Sequence, residues 1–336
     1  MKKILLVILA VAIFVSCDRN THILPDVDGT ITFGDVTTRA DVAFTEFGVW
    51  GTYHNAYSLN NGYKSLFNNT KVYFENGGWT YDNKAFWPLS SYVYFVAVAP
   101  YDAENPVITE NVINEDGVNV VYYTVDIEAP DTADFDLLYA TKFVNTTSPE
   151  FDNTKRVELL FRHFMTKVNF KIAQDFSKNT DDDFLVTKFT VSGIKKSASY
   201  LYLPYYDEDT GTASQLKEAT YGNEKCVFEQ TFDEPINLRT LGGNFYPIFD
   251  DGLLLIPQDV ASQDIKITVD YIYKMKDSDT EEPRFIETYL PVTDLWQSGN
   301  SISYAMKVSE THNISFLAPT VEPWGAPQNG GTIIIK

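Results

Sequence analysis

Val157-Glu158-Leu159-Leu160-Phe161-Arg162-His163-Phe164-Met165-Thr166-Lys167-Val168-Asn169-Phe170-Lys171-Ile172 is the stretch whose pattern decides the fold. Val157, Leu159 and Phe161 occupy odd positions, whereas Phe164, Val168, Phe170 and Ile172 occupy even ones. Alternation with period two marks a half-buried strand, and the two faces of one strand alternate strictly. The change of parity therefore predicts a bulge or a crossover near His163. Just upstream, Asn145-Thr146-Thr147-Ser148-Pro149 and Phe151-Asp152-Asn153-Thr154 have the composition of loops. A joint between two β-sandwiches is expected around residues 150–165.

The same period recurs elsewhere. Ile265, Ile267, Val269, Tyr271 and Tyr273 share one face, opposite Lys266, Thr268, Asp270 and Lys274, and Ile302, Tyr304, Met306 and Val308 repeat the pattern. Tyr92 to Val98 is continuously apolar, which reads as a strand covered on both faces. Turn signals separate these runs, among them Asn61-Gly62, Asn76-Gly77-Gly78, Asp116-Gly117, Gly242-Gly243-Asn244 and Asp251-Gly252. Long stretches with helical spacing are absent, so the chain reads as all-β, built of sandwiches.

Composition narrows the function. The 336 residues are 44% hydrophobic and 15% aromatic, enough for about two domains rich in strand-forming side chains. The 46 acidic residues outnumber the 26 basic ones, giving a net charge of −20. Such a surface repels phosphate backbones, which argues against nucleic-acid binding. Two Cys and four His nearly exclude disulfide frameworks and multi-ligand zinc sites. The loop opening at Asp207 places Thr212 where a calcium loop needs Gly. No Gly-x-Ser-x-Gly, P-loop, His-Glu-x-x-His or Gly-x-Gly-x-x-Gly motif occurs, so no enzyme, cofactor or metal site is expected. Cys226 sits in strand-like Lys225-Cys226-Val227-Phe228 and reads as a small buried or half-buried side chain.

The first residues address the chain. Met1-Lys2-Lys3 precedes twelve apolar residues, Ile4 to Val15, too few to cross a bilayer core that takes about 20 helical residues. Residues 1–16 therefore read as a signal peptide. Phe14-Val15-Ser16-Cys17 resembles the lipobox of bacterial lipoproteins, in which the Cys, here Cys17, is acylated and becomes the mature N-terminus.

The whole chain also carries an ordered series of pieces. After the lipobox come a short strand ending in Thr37-Thr38-Arg39-Ala40 and the segment Phe47-Gly48-Val49-Trp50-Gly51. Phe86-Trp87-Pro88, an aromatic strand ending in Ala99-Pro100, and Asp136-Leu137-Leu138-Tyr139-Ala140 follow. Phe161 to Val168 opens the second half, and Leu295-Trp296-Gln297-Ser298-Gly299 leads into the Tyr304 strand. In this order the series resembles the Mfa-like fimbrillins, the subunits and relatives of type V pili. The resemblance implies two tandem transthyretin-like β-sandwich domains, here 40–160 and 161–336, after a lipidated arm spanning 17–39. It implies export to the outer membrane and cell surface, and other pilus subunits as partners. It further implies that a trypsin-like, Arg-specific protease cuts between Arg39 and Ala40. The cut releases a first strand, and a terminal strand of another subunit takes its place.

In this sequence the removable strand is Thr30-Ile31-Thr32-Phe33-Gly34-Asp35-Val36, with Ile31 and Phe33 on one face. The matching donor is Thr332-Ile333-Ile334-Ile335-Lys336, in which Ile333 and Ile335 share a face and match the two-residue depth of the plug. Two Pro and three Gly between Val321 and Gly331 keep the preceding segment out of a central strand. A monomeric surface lipoprotein that binds glycan or a host protein is the competing reading, with Trp50, Trp79 and Trp87 as stacking residues.

Overall fold

The structure is a computed structural model. It describes residues 29–38, 44–58, 62–104, 107–115, 117–128, 136–175, 181–207, 212–213, 216–293 and 295–324. Before the joint the strands are β1 (Phe33–Thr38), β2 (Glu46–Asn55), β3 (Lys64–Glu75), β4 (Gly78–Thr80), β5 (Ser91–Ala99), β6 (Ile108–Glu115), β7 (Val118–Glu128), β8 (Leu138–Asn145) and β9 (Val157–His163). After it come β10 (Thr166–Gln174), β11 (Asp183–Lys195), β12 (Ser197–Tyr202), β13 (Tyr206–Asp207), β14 (Thr212–Ala213), β15 (Leu216–Tyr221) and β16 (Lys225–Asn237). The last are β17 (Tyr246–Pro247), β18 (Leu253–Leu255), β19 (Lys266–Lys274), β20 (Glu281–Tyr289), β21 (Asn300–Val308), β22 (Ile314–Phe316) and β23 (Thr320–Pro323). The all-β expectation holds.

A seven-stranded sheet runs in the order β1-β9-β8-β5-β2-β3-β4. It curls until its two edges, β1 and β4, come together. Inside the curl lies a core that includes Phe47, Phe67, Phe95 and Phe161. The opposite face packs on a four-stranded sheet, β15-β12-β7-β6, around Trp50, Tyr123 and Tyr202. β5 explains why one strand can be apolar throughout: Val93, Phe95, Ala97 and Ala99 enter the first core, and Val96 and Val98 the second. The remaining sheets enclose a third core. One pairs β10 with β21 in parallel, and the other is ordered β16-β11-β19-β20.

The parity change at His163 is a crossover. β9 ends at His163 in the seven-stranded sheet, and β10 starts at Thr166 in another. Val157, Leu159 and Phe161 face the first core, Phe164 and Met165 the second, and Val168, Phe170 and Ile172 the third. Sixteen residues thus thread three cores, since each sheet change hands the apolar positions to a new interior. The four-stranded sheet takes β6 and β7 from before the joint and β12 and β15 from after it. A division of the chain at 160 would cut through this sheet.

Candidate functional site

The site begins with the segment that sequence reading singles out, residues 30–36. Here it forms a strap that closes the curled sheet at both edges. Its start pairs with the 85–87 segment: the Ile31 N–H donates to the Ala85 carbonyl (2.8 Å), and the Trp87 N–H to the Gly29 carbonyl (2.9 Å). The Tyr81 hydroxyl donates to the Ile31 carbonyl at 2.7 Å. From Thr32 onward the strap changes partner, as the Val157 N–H donates to the Thr32 carbonyl at 2.7 Å. β1 then runs parallel to β9, from Phe33 opposite Val157 to Thr38 opposite Phe161. Among the described residues β9 is its only strand neighbour in the sheet, which places β1 at an edge.

Phe33 is the centre of this contact. It is 1% exposed, and its ring meets Phe47, Phe67, Tyr81 and Phe95 edge-on, with centroids 5.7–6.2 Å apart. Ile31 is fully buried beside it. Val36 is buried in the same core, a placement that alternation from Ile31 and Phe33 does not give. The register of β1 on β9 shifts between Gly34 and Thr37, which turns Val36 inward. Residues 31–36 therefore bury three apolar side chains in this core, where alternation alone gives two. At about 1.5–3 kcal/mol for each buried apolar side chain, the strap is firmly held. Gly34 lets it pass close to its neighbour, because a Cβ there would stand 2.3 Å from Cδ and 2.9 Å from Cβ of Arg156. Arg39 and Ala40 lie outside the described residues, directly after the last residue of β1 in sequence. Cys17 and Ile333, Ile334 and Ile335 also lie outside them.

A second cluster sits at the crossover. The His163 Nδ1 is 2.7 Å from Asp136 Oδ2, with both side chains nearly buried. The imidazole stacks on Trp324, with centroids 3.5 Å apart and planes 9° from parallel. Lys167 Nζ lies 5.7 Å from the Trp324 ring centroid, and the Trp324 N–H donates to the Gly299 carbonyl at 2.7 Å. Trp324 is where β23, paired to β21, hands over to residues 325–336. Sequence reading placed His163 near the joint but gave Trp324 no role; a Trp following β-edge residues and preceding a Gly-rich tail is the signal available.

The tryptophans of the competing reading are not displayed. Trp50, 1% exposed on β2, faces the four-stranded sheet in the second core, and Trp87, 8% exposed, packs against Phe95 and Phe151 in the first. Trp79 is half-buried against Phe44, Phe47 and Phe74. Cys226 is half-buried on β16, its Sγ 3.6 Å from the Ile194 carbonyl. Among the described residues no group of three or more His, Cys, Asp or Glu could hold a metal ion. No helix among them is long and apolar enough to cross a membrane.

Comparison with known proteins decides the family. The model of the fimbrillin-like family matches residues 38–324. The chain belongs to the fimbrillin-like family. It is thus a structural, non-enzymatic chain of a cell-surface family. A fimbrial protein from Bacteroides vulgatus shares 18% identity over 88% of this chain and 99% of its own, with a TM-score of 0.58, which shows a shared fold. A cell adhesion candidate from Bacteroides uniformis is 17% identical over 88% of this chain and all of its own, with a TM-score of 0.43. A fimbrial assembly protein from Parabacteroides distasonis is 12% identical over 87% and 97% of the two chains, with a TM-score of 0.36. No curated protein matches the sequence.

Proposed function

We propose that this fimbrillin-like chain is a structural subunit of a type V pilus that supports adhesion. In this reading it is exported as a lipoprotein acylated at Cys17 and held at the outer membrane. A trypsin-like protease cuts after Arg39, and subunits join by donor-strand exchange, with Ile333, Ile334 and Ile335 as the donor.

One observation carries the reading: the core is closed by an edge strand that ends one residue before an Arg. Its release breaks one ladder, along β9, and the short pairing of residues 29–31 with the 85–87 segment, whereas a central strand has two full ladders to break. Its removal uncovers β9 and a row of apolar sites, which is the kind of groove that accepts an extended strand through main-chain hydrogen bonds and alternate side-chain pockets. Ile31, Phe33 and Val36 hold the precursor closed; the protease supplies the irreversible step that lets them leave.

The test treats purified precursor with an Arg-specific protease and reads the products by mass. The reading expects one early cut between Arg39 and Ala40, abolished by Arg39→Ala, with the remainder still folded by circular dichroism. In producing cells, Cys17→Ala should remove the lipid mass and release the chain from the outer membrane fraction. First cleavage elsewhere, or a lipid mass unaffected by Cys17→Ala, would contradict it.

A further inference from the structure

The surroundings of Phe33 specify the strand that can replace it. We propose that the groove filled by residues 31–36 selects a donor from a different chain, one with an aromatic ring at the Phe33 position and a small residue after it. This rests on the strand-exchange reading above and adds to it the class of partner.

Four rings form the Phe33 site, and three of them, Phe47, Phe67 and Phe95, stand on β2, β3 and β5 inside the sheet. The fourth, Tyr81, is tied through its hydroxyl to the strap itself. Phe33 meets them at interplanar angles of 61–90°. Such edge-to-face contacts depend on a flat ring with a negative face and a positive edge, which no aliphatic side chain reproduces. All four walls are at most 3% exposed. Walls buried and packed this closely relax only partially toward a gap, so a smaller occupant leaves a void.

The Gly34 position adds a second requirement. The Arg156 side chain crosses where a Cβ would stand, so the residue following the ring must be Gly or must push aside the exposed Arg156 side chain. The site thus asks for aliphatic, any residue, aromatic, small. Residues 325–336 contain no aromatic residue. Setting Ile333 in the place of Ile31 puts Ile335 at the Phe33 site and Lys336 at the Gly34 site. Reversing the strand again brings an Ile to the ring site. Both positions are mismatched, so the Ile-rich segment suits a groove on another chain, and this groove suits another chain's strand. Filling this groove with the 325–336 segment of a second copy is therefore disfavoured.

Fluorescent peptides offered to the chain cut after Arg39 and freed of its strap test this directly. The peptide of residues 29–38, and a 328–336 peptide carrying Ile335→Phe and Lys336→Gly, should bind at least tenfold tighter than the unchanged 328–336 peptide. Equal binding of the two tail peptides would overturn the selectivity and leave strand exchange standing. Failure of every peptide, the 29–38 strand included, would overturn both. The intact chain gives an independent measurement that needs no emptied groove. Phe33→Ile should raise amide exchange of the strap at least tenfold, and an unchanged rate would refute the ring requirement.

Discussion

A buried histidine gives the residue scale a measurable signature. His54, on β2, is 8% exposed, with Nε2 3.2 Å from the Tyr94 hydroxyl and its ring stacked on that of Tyr94. Burial holds its pKa below the ordinary 6.5, with a partial offset from the Asn55 carbonyl. Burial likewise pushes the Tyr94 phenol upward, so neither group ionises readily. The folded chain therefore takes up the His54 proton less readily than the unfolded chain. Stability is unaffected by this residue well above pH 6.5 and falls as pH drops through 6.5 toward the lowered value. His312 acts in the same direction, through burial and the Arg284 charge. Melting temperatures of the wild type and His54→Gln, compared at neutral and mildly acidic pH, should show a smaller acid-induced drop in the variant. At this scale the sequence places Ile31 and Phe33 on one face, because strict alternation is enough to pair them. Val36 is illegible, since only the shift of register on β9 turns it inward.

Among the elements, strap and tail root are held differently. The strap depends on side chains in a core, whereas β23 has four exposed residues and is held by its ladder to β21 and the stack of Trp324 on His163. An aromatic pair contributes about 0.5–1.5 kcal/mol beyond area burial. Trp324→Ala should thus speed amide exchange in β23 by about two- to tenfold while leaving β1 unchanged. Equal rates in both proteins would show that the ladder alone holds the root. The elements themselves were readable where one face is buried: β19 and β21 follow their alternation, and β5 follows its unbroken apolar run. The crossover at His163 was readable as a change of parity. What alternation cannot tell is the neighbour. Nothing in Val121, Tyr123, Val125 and Ile127 says that β12, from beyond the joint, pairs with β7.

For the whole molecule, that pairing sets how the halves depend on each other. The second core combines Trp50, Val96 and Tyr123 with Phe164, Met165, Tyr200, Tyr202, Leu254 and Ile256. A fragment of residues 44–160 lacks the latter group and leaves β7 without β12. It should therefore fail to show a cooperative urea transition, and a sharp transition in the fragment would mean that the first half folds alone. In the strand-exchange reading proposed above, β1 closes a finished body and can leave it. Hydrogen exchange read by mass spectrometry, before and after a cut at Arg39, tests this most directly. Amides of β9 such as Val157, which donates to the strap, should lose protection after the cut. They regain it when the 29–38 peptide is added, while β19 and β21 stay protected throughout. Unchanged β9 protection after the cut, or loss of protection in every sheet, would contradict it.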